Sequence, residues 1–217
     1  YYAQFDGKCR VLHLAYEHSA DGLADEIASF RRRHADWIDD YALYMALKSV
    51  QGMKSFHEWP REIMERRPDA LEAAARSLKK EIHYHIFVQY LFFRQWEALH
   101  RYANEKGIHI IGDMPIYMAP DSADAWTERD LLDPQGRVAG CPPDYFSETG
   151  QLWGNPLYDW DALRKTGYAW WVRRIAHQMS LCDHLRVDHF RAFESYYAIH
   201  AGAKTAVMGE WLPGPGI

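Results

Sequence analysis

Residues 184–190 read His-Leu-Arg-Val-Asp-His-Phe, and this stretch decides how the rest of the sequence is interpreted. Its alternation predicts a β-strand in which Arg186 and Asp188 share one face. Leu185 and Val187 share the other face. A guanidinium beside a carboxylate favours the charged form of the carboxylate, and an ionised carboxylate suits a covalent nucleophile in sugar chemistry. The same spacing is more often that of a structural ion pair, so the pattern alone leaves both interpretations open.

An apolar run that ends in a carboxylate lies upstream, at residues 108–113, Ile-His-Ile-Ile-Gly-Asp. It predicts a short strand that is buried on both faces. A helix is expected over residues 159–181. The apolar residues that share one stripe of this helix are Trp171, Ile175 and Met179. Strand, helix and strand in this order form a βαβ unit with parallel strands. The active sites of such units lie beyond the carboxyl ends of the strands, and these ends here carry Asp113 and Asp188.

Between these strands, residues 114–158 are rich in Pro, Gly, Asp and aromatic residues and are interpreted as a long loop. Structureless loops longer than about 15 residues are uncommon and usually functional. Flat aromatic faces that suit a pyranose are offered by Tyr145, Phe146, Trp153 and Tyr158. Groups that suit hydrogen bonding to sugar hydroxyls are offered by Asp144, Gln151 and Asn155. The alternative, weighed equally, is that the aromatic residues form a small core that fixes the loop.

The first half of the sequence has helical periodicity. A helix is predicted over residues 21–34. A second is predicted over residues 37–48, with Asp36 as its N-cap and Gly52 beyond its C-terminus. Residues 68–106 continue the periodic pattern, either as one kinked helix or as two helices. The predicted fold class is therefore α/β and rich in helix.

The composition excludes several classes of protein. The 217 residues carry a net charge of −5, which argues against a nucleic-acid-binding protein. The longest apolar run, residues 86–93, is too short to span a bilayer, so no membrane partner is expected. The three cysteines lack CxxC spacing and indicate free thiols in a reducing, cytoplasmic compartment. The twelve histidines form no convincing metal-ligand pattern, and no glycine-rich phosphate loop is present.

Three longer motifs carry a resemblance to a known family. They are residues 110–117 (IIGDMPIY), residues 142–158 (PPDYFSETGQLWGNPLY) and residues 186–191 (RVDHFR). They resemble the third-strand segment, the active-site loop and the nucleophile strand of the 4-α-glucanotransferases of glycoside hydrolase family 77. These are the amylomaltases and the plant disproportionating enzymes. Residues 37–43 and 92–96 are similar to helical signatures of the same family.

The resemblance implies a (β/α)8 TIM barrel with helical insertions. Residues 1–106 would then be a large helical insertion. Residues 107–217 would be part of the barrel, with about two of its strands and an active-site loop at residues 114–158. The implied activity is a retaining, two-step transfer of α-1,4-glucan segments between maltooligosaccharides or starch-derived glucans. The resemblance implies no metal and no organic cofactor.

By the same resemblance the nucleophile falls on Asp188, which Arg186 would contact and orient. Asp113 would lie near the donor sugar, and Trp153 would stack against an acceptor sugar. The candidate substrate-binding residues are Asp113, Tyr117, Asp144, Tyr145, Trp153, Asn155 and His189.

The family's general acid, a glutamate beyond the fifth barrel strand, and its third carboxylate would both fall after residue 217. Its first two barrel strands would precede residue 1, and Glu194 and Glu210 match no catalytic position. We therefore expect an internal piece of a glucanotransferase that is inactive alone. Its open strand edges favour self-association. Two alternatives stay open, namely an α-amylase-type hydrolase of the same broad barrel class and a non-catalytic glucan-binding module.

Overall fold

The computed structural model describes residues 2–216, apart from the side chains of residues 2, 3 and 5. The chain divides into two compact units, residues 1–99 and residues 100–217. The division falls inside a long helix, upstream of the boundary predicted after residue 106. Within the described residues, no helix is both long enough and apolar enough to cross a membrane.

The first unit is built from helices. Their bounds are α1 Tyr2–Ser19, α2 Ala24–Arg33, α3 Ile38–Val50, α4 Arg61–Met64, α5 Pro68–Ser77 and α6 Lys79–Glu105, the last of which continues into the second unit. Part of the core of this unit lies between α2 and α6. There the fully buried ring of Phe30 lies 5.5 Å from the ring of Phe93 and 6.1 Å from that of Tyr90, measured between centroids.

Three predictions about helices can be compared with the structure of the first unit. Residues 68–106 form two helices, α5 and α6. The prediction of Asp36 as an N-cap is wrong, because a hydrogen-bonded turn extends through Trp37 and α3 begins only at Ile38. Gly52 does lie just beyond the C-terminus of α3, with a φ of 64°, which is typical of a glycine that ends a helix.

The second unit combines helices and strands. In chain order its elements are β1 Ile111–Pro115, α7 Ala123–Thr127, β2 Val138–Cys141, β3 Gln151–Pro156, α8 Trp160–Lys165, α9 Ala169–Met179, β4 His184–Asp188, β5 Ser195–Ile199 and β6 Gly209–Pro213. The strands β1 and β4 pair in parallel, which confirms the predicted parallel pair, and Asp113 is the cross-strand partner of Arg186. The prediction that the first strand is buried on both faces is wrong, since Ile111 is 71% exposed. Among the described residues this sheet has two strands, so β1 has a neighbouring strand along one edge only.

Residues 114–158 are not the long loop that the sequence suggested. They contain α7, β2 and β3, and the two strands join β5 and β6 in an antiparallel sheet of order β3-β2-β5-β6. Gly140 of β2 allows β3 to approach closely, because a Cβ atom there would lie 2.2 Å from the carbonyl oxygen of Gln151. A strand this short, with a glycine where it pairs, does not produce a recognisable alternation of apolar and polar residues in the sequence.

The helix predicted over residues 159–181 is also divided. Gly167 and Tyr168 have positive φ angles, 61° and 57°, and separate α8 from α9. The predicted apolar stripe is wrong for Ile175 and Met179, which are exposed. The helix α9 packs on β1 and β4, a pair of strands that is too narrow to bury the whole stripe.

Candidate active site

Three charged side chains lie together where β1 and β4 run side by side. Arg186 donates from Nε to Oδ1 of Asp113 at 2.9 Å and from Nη2 to Oδ2 of Asp113 at 2.6 Å. The same Nη2 lies 3.5 Å from Oδ1 of Asp188. The parallel register makes this possible, because it places Asp113 opposite Arg186 and Pro115 opposite Asp188. The guanidinium therefore lies between two carboxylates and holds Asp113 more closely than Asp188.

This charged group is open to solvent. More than half of each of the three side chains is exposed. The hydrogen bonds from Arg186 to Asp113, together with the charges of Asp113 and Asp188, raise the pKa of the guanidinium. Arg186 is thus a permanent cation beside two carboxylates that a polar ligand can reach.

His189 follows Asp188 directly and has a different environment. Its backbone is left-handed, with a φ of 54°. Its Nε2 is buried without a hydrogen-bond partner among the described residues. Burial, followed by the charge of Arg191, lowers the pKa of the imidazole, while Asp188 opposes the shift. The ring is therefore neutral at pH 7, and its buried nitrogen has no hydrogen-bond partner among the described residues.

Two of the predicted sugar-binding aromatic residues contact this histidine. The rings of Trp153 and His189 are nearly perpendicular, with centroids 4.9 Å apart, and the ring of Tyr117 lies 6.3 Å from that of His189. Tyr117 is buried and stacks on Tyr158 at 6.0 Å. Burial raises the pKa of Tyr117, so its phenol stays protonated. Trp153 keeps about a third of its surface exposed, whereas Tyr117 is buried and offers little surface to a ligand.

The turn between β2 and β3 carries two exposed aromatic side chains. Oδ1 of Asp144 accepts hydrogen bonds from the backbone N–H groups of Phe146 and Ser147, both at 2.9 Å. This Asx-type turn leaves Tyr145 and Phe146 almost fully exposed. One carboxylate oxygen of Asp144 is therefore used to shape the turn, and the turn presents the aromatic pair.

Asn155 has a local structural partner. Its Nδ2 donates to the carbonyl oxygen of Met118 at 2.9 Å, which ties β3 to the segment that follows β1. Trp153, two residues earlier on the same strand, donates from Nε1 to Oε1 of Gln151 at 3.0 Å. The structure thus brings Asp113, Arg186, Asp188, His189, Tyr117 and Trp153 into one network of contacts. Asp144 and Tyr145 lie on the adjoining turn.

The sequence interpretation missed Arg174 on α9. Its guanidinium binds the carbonyl oxygens of Pro115 and Ile116, where β1 ends. A possible signal was an arginine placed three and four residues after the buried pair Trp171 and Trp170, on the same helical face. Among the described residues, no group of three or more His, Cys, Asp or Glu side chains is placed to hold a metal ion.

A comparison with known families decides how this site is classified. A model of the 4-alpha-glucanotransferase family matches residues 1–217. The chain belongs to this family. This finding confirms the resemblance of the three sequence motifs.

Two members of the family illustrate the extent of the match. The chain is 45% identical over 220 residues to the 4-alpha-glucanotransferase of Aquifex aeolicus, with 95% of this chain and 45% of the relative covered. It is 49% identical over 197 residues to that of Thermus thermophilus, with 88% of this chain and 39% of the relative covered. The chain therefore spans less than half the length of these relatives.

Solved structures agree with the sequence relatives. The amylomaltase from Streptococcus agalactiae in complex with acarbose matches 99% of this chain and 45% of its own, with a TM-score of 0.94 and 38% identity. The amylomaltase from Corynebacterium glutamicum matches with a TM-score of 0.76 at 21% identity, which supports the fold alone. The α/β fold of the chain is thus that of a segment of an amylomaltase.

Proposed function

We propose that the chain supplies the nucleophile side of a retaining 4-α-glucanotransferase active site. The observation that carries the proposal is the position of Arg186 between Asp113 and Asp188, on neighbouring parallel strands. Membership of the 4-alpha-glucanotransferase family supports it independently. The substrates of the whole protein would be maltooligosaccharides or starch-derived glucans.

Asp188 suits the nucleophile better than Asp113 does. Both oxygens of Asp113 accept close hydrogen bonds from Arg186, which occupy lone pairs and reduce nucleophilicity. Asp188 has the longer 3.5 Å contact, and its side chain is 64% exposed. Asp188 therefore combines a nearby positive charge with lone pairs that can reach an anomeric carbon. Asp113 suits hydrogen bonding to the hydroxyls of the bound sugar.

The reaction would then proceed in two displacements. A carboxylate oxygen of Asp188 attacks the anomeric carbon while a carboxylic acid protonates the departing glycosidic oxygen. The 4-hydroxyl oxygen of a second glucan then attacks the anomeric carbon of the glucosyl ester, and the bond to Asp188 breaks and frees its carboxylate. The hydroxyl proton goes to the group that acted as the acid in the first step. Two inversions retain the α-configuration.

The aromatic residues around the site would favour transfer over hydrolysis. Trp153, Tyr145 and Phe146 offer exposed faces for an acceptor sugar. An acceptor held on these faces places its hydroxyl near the ester and displaces water from it. The exposed carboxylate of Asp113 would hold hydroxyls of the donor sugar, and the ring of His189 would line the same subsite.

We propose that the general acid and a third carboxylate come from sequence beyond residue 217. Two glutamates late in the chain have other partners, which argues against an acid role. Glu210 lies 3.3 Å from Arg137, and Glu194 accepts a hydrogen bond from the hydroxyl of Ser195. Because retaining chemistry needs both an acid and a nucleophile, the 217-residue chain alone would be inactive.

We also propose where the two segments of the chain belong in the full-length fold. Residues 107–217 would form part of a (β/α)8 barrel, and residues 1–106 a helical insertion. Further barrel strands would pair with the edges of β1 and β4 in the full-length protein. In the isolated chain these edges would promote self-association. No step of the proposed reaction uses a metal or an organic cofactor.

The test is an assay of the full-length protein and of the 217-residue chain with maltotriose. We expect the full-length protein to release glucose and form longer maltooligosaccharides without a net gain of reducing ends. We expect the short chain to release none. A net gain of reducing ends would instead favour a hydrolase. Binding of acarbose without turnover by the full-length protein would favour a glucan-binding module. Turnover by the short chain would overturn the proposed source of the acid.

A further inference from the structure

A partly buried arginine of α9, Arg174, binds the backbone at the end of β1. Nη2 of Arg174 donates to the carbonyl oxygen of Pro115 at 2.6 Å, and Nη1 donates to that of Ile116 at 2.7 Å. Pro115 is the last residue of β1 and Ile116 the first beyond it. Two successive carbonyl groups thus share one planar cation, which fixes the direction in which the chain leaves the strand.

Other side chains hold this cation in place. Nη1 of Arg174 also donates to the hydroxyl of Tyr158 at 3.0 Å, and that hydroxyl donates in turn to the carbonyl oxygen of Ile116 at 2.8 Å. The guanidinium carbon lies 5.2 Å from the ring centroid of Trp170 and 5.1 Å from that of Trp171. Both tryptophans and Tyr158 are buried. The aromatic surroundings therefore restrict the guanidinium to one orientation.

The segment held by Arg174 is the one that carries the candidate site. Asp113 lies two residues before the first of the two carbonyl groups and forms the bidentate pair with Arg186. Tyr117 lies one residue after the second, stacks on Tyr158 and contacts His189. A change at Arg174 would therefore reach both the charged group and the neutral histidine without a direct contact with either.

We propose that Arg174 is a positioning residue for glucan transfer, which acts by fixing the carbonyl groups of Pro115 and Ile116. The inference rests on the proposed function. A displacement of catalytic groups of about 1 Å can cost roughly 100-fold in rate. Because the carboxylates are misplaced rather than removed, the loss should fall on kcat more than on KM.

The experiment compares Arg174→Met and Arg174→Lys with Arg173→Met in the full-length protein. Arg173 lies on the same helix and is half-exposed, with Glu128 as its 3.5 Å partner. With maltotriose we expect Arg174→Met to lower kcat roughly 10- to 100-fold with KM within about twofold. Arg174→Lys should restore part of the rate, since an ammonium can bind one carbonyl group well but not both in the same plane. Arg173→Met should match the unsubstituted protein.

Amide hydrogen exchange of the peptide that covers residues 113–118 provides a second readout. We expect faster exchange in Arg174→Met and unchanged exchange in Arg173→Met, because only the first loses the carbonyl contacts. Unchanged kcat in a folded Arg174→Met protein, or unchanged exchange, would overturn the inference. If Arg174→Met does not fold, a fully active Arg174→Lys protein would overturn it instead. Absence of turnover in the unsubstituted protein would contradict the proposed function, and the exchange result would then decide whether Arg174 fixes this segment.

Discussion

Arg186 donates two hydrogen bonds to Asp113 on the neighbouring strand, at 2.9 and 2.6 Å, while its contact with Asp188 on its own strand is 3.5 Å. One planar cation therefore sets the distance between two carboxylates. Bidentate arginine–carboxylate pairs are directional as well as attractive. Asp188 is therefore the more loosely held of the two carboxylates.

Replacement of Arg186 by lysine should lower glucan transfer while leaving the charge unchanged. Lysine cannot reproduce the two parallel hydrogen bonds to Asp113, so the carboxylates lose their fixed spacing. We expect kcat with maltotriose to fall roughly 100-fold in the full-length protein. The matched control is Arg164→Lys, which alters an exposed ion pair with Asp161 on α8. Activity within twofold of the unsubstituted protein in Arg186→Lys would show that the bidentate pair is dispensable.

Replacement of Trp153 should weaken binding of the acceptor glucan more than binding of the donor glucan. Its exposed indole lies against His189, and we expect Trp153→Ala to lower the ratio of transfer to hydrolysis by about tenfold, because water competes better for the ester. Product analysis of maltotriose reactions measures this ratio. The control is Leu152→Ala, an exposed neighbour on β3. An unchanged ratio in Trp153→Ala would place the acceptor elsewhere.

Two glycines of the β2–β3 hairpin should differ in their tolerance of alanine. Gly150 and Gly154 have φ angles of 68° and 77°, so alanine is strained at both. A Cβ atom on Gly150 would also lie 2.4 Å from the carbonyl oxygen of Cys141, whereas the space around Gly154 is open. We expect Gly154→Ala to cost about 1 kcal/mol of folding free energy and Gly150→Ala at least about twice as much. Chemical denaturation measures both, and equal losses would contradict the predicted backbone contact.

The stability of the first unit should depend on pH through His85. Burial, followed by the charge of His13, lowers the pKa of His85 from 6.5 to about 4. Its Nε2 is buried, with the nearest carboxylate oxygen of Glu81 3.6 Å away. As the pH falls below about 6.5, the unfolded chain binds a proton that the folded chain rejects, so stability decreases until about pH 4. The contribution of this one group is about 3 kcal/mol.

Chemical denaturation at pH 4.5 and pH 7 measures this effect. We expect His85→Phe to lose less stability on acidification than the unsubstituted protein does. The control, His57→Phe, replaces an exposed imidazole and should leave the pH dependence unchanged. An unchanged pH dependence in His85→Phe would mean that other groups cause the acid sensitivity.

The sequence predicted the parts of the fold that depend on local periodicity. The strand that ends in Asp188 and its parallel partner were found, because apolar runs that end in a carboxylate are distinctive. The second sheet was missed. Its strand β2 has four residues and requires Gly140 for close pairing, so neither length nor alternation marks it. Exposure was also mispredicted at Ile111, because burial of a strand depends on how many neighbours the sheet provides.

The members of the candidate site could be named from the sequence, but their contacts could not. Arg186 was expected to orient Asp188, which is two residues away, yet its close partner is Asp113, which is 73 residues away. Strand register decides that partner, and register is not local information. The same applies to Arg174, whose carbonyl partners lie nearly sixty residues upstream.

Trapping the covalent intermediate tests most directly whether Asp188 is the nucleophile. A fluorinated α-glucosyl fluoride reacts in the first displacement but is released slowly from the ester, so peptide mass spectrometry of the full-length protein can locate the label. We expect one fluoroglucosyl group on Asp188, none in Asp188→Asn, and unchanged labelling in Asp161→Asn. A label on Asp113 or any other residue, or undiminished transfer by Asp188→Asn, would contradict it.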